Sequence, residues 1–352
     1  MRREETKRIY VGDVPVGGGA PVTVQSMCNT KTSDAAATLA QMDELRRAGC
    51  DIIRVAVPDL AAAQALPAIM AAAPMPVVAD IHFDHRLALL AAEAGVDAVR
   101  INPGNIGRPE RVEAVANACR ERGIPIRVGV NSGSVEKSVL AKYGGPTAEA
   151  LVESAAGELA ALRGFGFTDV ALSVKASDVP TAVAAYRLAA ERFDCPLHVG
   201  VTETGTSYSG VVNSSVGIGT ILMEGIGDTI RVSLTADPVE EVRAGIAILK
   251  ACGLRKAGVR FVSCPTCGRT SIDLIGLAKA AEERLASLDR DITVAVMGCE
   301  VNGPGEASNA DFGIAGGKGF GSLFMKGKVV RTRVPEAELL EALMALIEST
   351  DT

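Results

Sequence analysis

Aromatic side chains make up only 3% of this 352-residue chain, and tryptophan is missing altogether. With a formal net charge of -6, that scarcity argues against a nucleic-acid surface, because phosphate binding needs clustered Lys and Arg and base stacking needs rings. Long apolar runs are lacking too. The most apolar stretch, Leu60 to Met75, is interrupted by Gln64, Pro67 and Pro74, well short of the roughly 20 residues that cross a bilayer, and reads as an amphipathic helix. The charged segment Met1 to Arg8 leads into no apolar stretch and reads as an ordinary N-terminus rather than a secretory signal. The expected location is cytoplasmic, where the 8 cysteines are free, metal-bound or catalytic rather than cross-linked. Two nucleotide signatures are absent: no GxGxxG joins the first strand to the first helix, and no GxxxxGK[ST] occurs.

What is present is a rhythm. From Val22 to Thr235, short β-rich runs alternate with longer Ala/Leu/Glu/Arg segments of helical period. Eight runs can be counted, beginning at Thr23, Ile52, Val77, Ala98, Ile126, Val170, Leu197 and Thr229. Asp237 and Pro238 then open an eighth helix as cap and first-turn residue. The count predicts a (β/α)8 barrel over residues 1–253, close to the usual length of about 250 residues. An open doubly wound sheet is the competing fold, but it has neither the eight-unit count nor a dinucleotide loop in its favour.

Such barrels build their sites at the C-terminal ends of the strands. There the sequence places Arg54, Asp80, His82, Arg100, Asn102, Arg127, Asn131, Lys175, Ser177, His198, Glu203, Arg231 and Ser233. Arg54, Arg100, Arg127, Lys175 and Arg231 each sit in an otherwise apolar strand. An unpaired buried cation costs several kcal/mol, so five need anionic partners. Asp80, Glu203 and other carboxylates can pair with some of them but are too few for all. The pattern therefore predicts a pocket for a strongly anionic small molecule, with guanidinium forks matched to phosphate oxygens. The segment Gly210 to Gly227, rich in glycine and hydroxyls, lies where such barrels often carry a phosphate loop, although it reads equally well as a plain turn.

Past Gly253 the rhythm stops, and residues 254–352 read as a smaller α+β domain. Its expected elements are a strand Val259–Val262, a helix Ser271–Ser287, a strand Ile292–Met297, a turn at Asn302–Gly305, a hairpin or loop at Gly316–Gly321, antiparallel strands over Ser322–Val334 and a helix Glu336–Glu348. Cys264 and Cys267 form a CxxC, and Cys299 follows the second strand. No histidine lies after His198, so a Cys2His2 or Cys3His zinc site would need its fourth ligand from elsewhere. An iron–sulfur cluster fits better: three thiolates are at hand, and Glu306, or its rival Glu300, offers a carboxylate that binds iron less firmly than thiolate. The other cysteines, Cys28, Cys50, Cys119, Cys195 and Cys252, lack such spacing and read as small buried hydrophobes, with Cys28 also a weak candidate for the pocket lining.

The motifs SCPTCGRT, VMGCEVNGPGEA, ADFGIAGG, VQSMCNTKTSD, VADIHFDHR, VRINPGN and GVTETG closely resemble the 4-hydroxy-3-methylbut-2-enyl diphosphate synthase family, essentially along the whole chain and in its compact two-domain form. The resemblance implies a [4Fe–4S] cluster on Cys264, Cys267, Cys299 and Glu306. It implies reductive ring opening of 2-C-methyl-D-erythritol 2,4-cyclodiphosphate with two electrons from flavodoxin or ferredoxin, in the non-mevalonate route to isoprenoids. It also implies a head-to-tail homodimer, Glu203 as proton donor, His82 and His198 as nearby polar partners, and the strand-end cations with Asn102, Asn131 and Ser233 around the substrate oxygens. A pterin-binding barrel would leave the cysteine motifs unexplained. A metal carrier on an inert barrel gains nothing from buried cations, and radical S-adenosylmethionine chemistry lacks its Cx3Cx2C run.

Overall fold

Five aspartates, Asp34, Asp59, Asp84, Asp178 and Asp237, each accept a backbone N–H from the first turn of the helix that follows a strand. These caps satisfy donors that a helix start leaves open, and they fix where each strand hands over to its helix. The structure is a computed structural model and describes residues 2–255, 258–286, 288, 290–299 and 309–350. The chain divides into two compact units, Met1–Arg255 and Lys256–Thr352.

The first unit begins with a hairpin, β1 (Ile9–Val11) and β2 (Val14–Val16), and continues through eight parallel strands. These are β3 (Thr23–Met27), β4 (Ile52–Ala56), β5 (Val77–Asp80), β6 (Ala98–Ile101), β7 (Ile126–Asn131), β8 (Val170–Lys175), β9 (His198–Val199) and β10 (Thr229–Ile230). Their order is β8-β7-β6-β5-β4-β3-β10-β9. A parallel bridge from Leu172 to Leu197 links β8 to the residue entering β9, bringing the two ends of the sheet together. This is the expected (β/α)8 barrel. The hairpin was not expected; it covers the N-terminal end, where Ile9, Val11 and Val16 pack on Ile52, Val78, Ala98 and Ala171. Burying that end leaves the opposite one as the mouth.

The segment from Gly210 to Gly227 is mostly helix, Ser207–Met223, and not a phosphate loop. Its glycines serve packing: a Cβ on Gly217 would lie 2.5 Å from Val201 Cγ2, and one on Gly210 would lie 2.6 Å from Leu234 Cδ2. Only hydrogen at these positions lets the helix seat so closely on the barrel.

The second unit is a five-stranded sheet in the order β11 (Arg260–Ser263), β12 (Thr293–Met297), β13 (Phe312–Gly317), β14 (Phe320–Met325) and β15 (Lys328–Pro335). β11 to β13 run parallel, and β14 and β15 add antiparallel. Helices Leu274–Leu285 and Leu339–Glu348 bury their apolar stripes against Val294, Val296, Ile314 and Leu323, the residues alternating onto one face of the sheet. The expected glycine hairpin is the β13–β14 turn, with Gly319 at φ 72°. The expected Asn302–Gly305 turn lies outside the described residues.

Candidate functional site

Alternation along the barrel strands turns every second residue inward, and at the mouth those residues are polar. A pocket with about 410 Å3 of space between protein atoms is lined by Arg54, Asp80, His82, Arg100, Asn131, Ser173, Lys175, Thr202, Arg231 and Ser233. Asp80, at the end of β5, is the hub. Its Oδ1 accepts from Arg100 Nη1 at 3.1 Å and its Oδ2 lies 3.6 Å from Arg54 Nε. Arg100 also donates to His82 Nε2 at 3.0 Å and, through Nη2, to Gly129 O at 3.1 Å. Arg54 Nε also donates to Met27 Sδ, a soft and weak acceptor, at 3.2 Å, and Arg54 Nη2 donates to the same sulfur at 2.9 Å. On the other side, Arg231 Nη2 lies 3.4 Å from Glu241 Oε2. Glu241 in turn accepts the Leu234 N–H at 2.9 Å, so helix Pro238–Ala251 steers Arg231 through its first turn.

Glycines clear the way for two of these cations. A Cβ at Gly129 in β7 would lie 2.4 Å from Arg100 Nε, and one at Gly200 would lie 2.8 Å from Lys175 Nζ. A strand glycine such as Gly129 is otherwise unfavourable, and it and Gly200, just past β9, each mark a place where a charged side chain crosses bare backbone.

Arg127 and His198 sit deeper. Arg127, 6% exposed, crosses the barrel from β7 to donate to Gln25 on the opposite strand β3, while its Nε and Nη2 have no partner among the described residues. His198 is fully buried, its Nδ1 3.4 Å from Thr229 Oγ1 and its Nε2 without a partner among the described residues. Together they form the floor beneath the mouth pocket. Burial first, and then Arg127 and Lys175, hold the His198 imidazolium far below the usual histidine range, so His198 is neutral.

The charge balance decides what this mouth can hold. Arg54, Arg100, Arg127, Lys175 and Arg231 face two buried carboxylates, Asp80 and Glu241. Burial opposes ionisation of Asp80, but Arg54 and Arg100, with His82 and Arg127, outweigh it and hold the carboxyl below the usual range. Burial and the neighbouring cations push Arg127 and Lys175 well below their ordinary values, and burial brings Arg54 down to about 10 despite Asp80. A multivalent anion in the pocket would reverse that trend by neutralising the crowd.

Of the remaining expected residues, Asn102 is 1% exposed at the end of β6, its Oδ1 accepting the Asn105 N–H at 3.1 Å and its Nδ2 orphaned. Ser177 and Glu203 are exposed and outside the pocket lining. Glu203 holds φ 55°, a strained conformation for a non-glycine residue, in the loop after β9. Sequence reasoning missed Ser173, Thr202, Gln25 and Glu241. Ser173 stands two residues before Lys175, so strand alternation was the signal that could have found it.

In the second unit, Cys264 follows β11 directly and Cys299 follows β12 by two residues, at the same end of two parallel neighbours. The Gly298 N–H donates to Cys264 Sγ at 3.2 Å, and the Ser271 N–H donates to Gly298 O, folding the CxxC loop over that end. The backbone N–H of Arg269, and then its charge, holds the exposed Cys267 thiol below the usual cysteine value. Such a donor set suits a thiophilic metal centre. Among the described residues, however, no three His, Cys, Asp or Glu side chains are close enough to share a metal ion. Glu306 and Glu300 lie outside the described residues. By contrast, burial pushes the Cys28, Cys50, Cys119 and Cys195 thiols up to about 12, as small core residues behave, and Cys28 belongs to the barrel core and not to the pocket lining.

Among the described residues no helix is long and apolar enough to cross a membrane. The family model described as GcpE TIM-barrel domain matches residues 6–246, and that described as GcpE protein C-terminal domain matches residues 260–349. A relative from Geobacter sulfurreducens is 60% identical over 98% of this chain and 98% of its own length. One from Clostridium perfringens is 56% identical over 99% of this chain and 100% of its own. Both are named 4-hydroxy-3-methylbut-2-en-1-yl diphosphate synthase (flavodoxin). Dihydropteroate synthase of Yersinia pestis superimposes with a TM-score of 0.49 at 13% identity, over 70% of this chain and 97% of that one. With both domain models matched in order and relatives this similar end to end, the chain belongs to the GcpE family.

Proposed function

We infer that this chain opens and dehydrates 2-C-methyl-D-erythritol 2,4-cyclodiphosphate to (E)-4-hydroxy-3-methylbut-2-enyl diphosphate, consuming two electrons and releasing water. The observation that carries the reading is the mouth pocket, where four cations, Arg54, Arg100, Lys175 and Arg231, with buried Arg127 beneath them, outnumber the two buried carboxylates that face them, Asp80 and Glu241. A cyclic diphosphate supplies the missing negative charge and enough oxygens for the guanidinium forks.

In this reading Arg54, Arg100, Lys175 and Arg231 grip the diphosphate, with Asn131 and Ser233 at its edge and Asn102, Ser177 and His82 around the ring oxygens. Arg127 and His198 form the floor and add positive potential and a neutral polar surface from below. Glu203, on its strained loop, is the proton donor to the departing oxygen. A [4Fe–4S] cluster on Cys264, Cys267, Cys299 and Glu306 would supply single electrons and a Lewis-acidic iron. The chemistry of the thiols fits that group, since Cys264 and Cys299 stand at one sheet end and Arg269, next in the CxxC loop, favours the thiolate of Cys267. The reductant is flavodoxin or ferredoxin, and a head-to-tail homodimer belongs to the same proposal.

The test is iron and acid-labile sulfide analysis of anaerobically purified protein, followed by turnover with the cyclic diphosphate and a one-electron reductant. About four irons per chain with reductant-dependent ring opening is the expected result, and sedimentation at the assay concentration should give a dimer. Glu306→Ala should lose turnover, while Glu203→Gln should keep iron and substrate binding and lose turnover. Stoichiometric zinc without iron would overturn the cluster reading.

A further inference from the structure

Beside the mouth lies a second group of buried polar side chains with no role in the chemistry described so far. Glu158, on helix Ala148–Gly164, is 4% exposed, and neither of its carboxyl oxygens has a well-aligned hydrogen-bond partner among the described residues. Glu136, capping helix Lys137–Tyr143, brings a second carboxyl whose Oε2 is also buried without one. Asn102 adds an orphaned Nδ2. The three converge on the short turn Pro103–Ile106: a Cβ at Gly104 would lie 3.2 Å from Asn102 Oδ1, 3.4 Å from Glu158 Oε1 and 3.6 Å from Glu136 Oε1.

Two carboxyl groups drawn to one turn and largely out of water resist ionising together, so Glu158 holds its proton at neutral pH. Besides Asn102, the groups that act on Glu158 come from three elements. Glu136 faces it from the neighbouring helix, the Gly104 N–H from the turn, and Arg100 from β6. Arg100 gives no relief by direct contact, because its Nη1 and Nη2 go to Asp80, His82 and Gly129 O. Burial, and then the Glu136 carboxylate, push the Glu158 carboxyl up to about 8. In its acid form Glu158 gains an O–H that a facing oxygen can accept, tying helix to turn. With both groups ionised, repulsion would act on that same turn, one residue from Asn102 and three from Arg100.

We propose that Glu158 is a positioning residue whose carboxylic acid, meeting Glu136 and Asn102 at Gly104, pins the Pro103–Ile106 turn, and so holds Asn102 and Arg100 in register for an anionic ligand. The role rests on the reading of the mouth as a diphosphate site. It adds to that site a carboxyl pair that never touches the ligand.

The experiment is calorimetric binding of the cyclic diphosphate to anaerobically purified wild type, Glu158→Gln and Glu158→Ala between pH 6.5 and 9.5. Each phosphate of this ligand has a single acidic proton, lost well below that range, so ligand charge stays constant. Lys175 and the other mouth cations are common to all three proteins, so the readout is the ratio of affinities. Glu158→Ala, shown folded by its thermal melt, should bind about tenfold more weakly at pH 7, and Glu158→Gln, which mimics the neutral acid, should restore binding to within about threefold. The ratio of Gln-variant to wild-type affinity should rise at least about fivefold between pH 7 and 9.5 as wild type loses the proton. A flat ratio, or a Glu158→Ala variant that binds like wild type, overturns the positioning role while leaving the diphosphate reading intact. No binding by wild type at pH 7 overturns that reading, and the positioning role with it.

Discussion

At the scale of single residues, the mouth depends on what is missing as much as on what is charged. Arg100 reaches Asp80, His82 and Gly129 O only because Gly129 has no side chain; an added Cβ would stand 2.4 Å from Nε and 2.7 Å from Nη2, closer than any relaxation of a strand backbone can absorb. Gly129→Ala should therefore leave the fold in place and displace the guanidinium. Losing one charge-assisted contact is worth about 1.5–3 kcal/mol, which is roughly 10- to 100-fold in affinity for the cyclic diphosphate. Calorimetry on the folded variant checks it, and wild-type affinity would show that Arg100 is not held across Gly129. The five cations were legible in the sequence because a charge inside an apolar strand breaks its pattern. Gly129 and Gly200 were not, because a glycine in a strand reads as weakness until the side chain crossing it is known. Glu241 was hidden for a different reason: it sits on the amphipathic helix after Asp237, where an acidic residue in the first turn looks like ordinary dipole chemistry.

At the scale of elements, buried parallel strands show as continuous apolar runs, which is why the eight βα units could be counted without a structure. Two features escaped that reading. The β1–β2 hairpin is only three residues a side and carries no long periodic signal, yet its Ile9, Val11 and Val16 close the barrel floor. The helix Ser207–Met223 contains Gly210, Gly217 and Gly219, each unfavourable by about 1 kcal/mol relative to alanine, so propensity argued for a loop while packing made a helix. The glycines within it are not equivalent. A Cβ on Gly217 would meet Val201 Cγ2 at 2.5 Å, whereas one on Gly219 would meet nothing within 4 Å. Gly219→Ala should raise stability by up to about 1 kcal/mol, through helix propensity and a less free unfolded chain. Gly217→Ala gains the same propensity but must push helix and β9 loop apart, and overpacking of about 1–3 kcal/mol should make it neutral to destabilising. Urea midpoints of the two variants, measured side by side, decide the matter: equal shifts would mean that the helix is not seated through Gly217.

At the scale of the whole molecule, the buried carboxyl pair makes stability depend on pH in a way that separates it from every surface charge. The Glu158 carboxyl has its ordinary value of 4.5 in the unfolded chain and is raised to about 8 in the fold. Below pH 4.5 both states hold the proton, and the contribution of Glu158 to stability is fully present. Between pH 4.5 and 8 the folded protein keeps a proton that the unfolded chain has released, so stability falls as pH rises. Above about 8 both states are ionised and the slope vanishes. One proton of difference corresponds to about 1.4 kcal/mol per pH unit, hence about 2–3 kcal/mol between pH 6 and 8. For a unit of this size that is several degrees of melting temperature. Other groups tilt the curve as well: Asp228, raised to about 6 by burial, adds a slope of the same sign at lower pH, and Asp80, held low by Arg54 and Arg100 against its burial, opposes it in acid. All of them are common to wild type and Glu158→Gln, so the difference between the two melting curves isolates Glu158. That difference should change steadily in favour of the Gln variant from pH 5.5 to 8 and stay level from 8.5 to 9.5. Parallel curves throughout would mean that the Glu158 carboxyl is ionised at neutral pH in the fold, and that it has no proton with which to pin the turn.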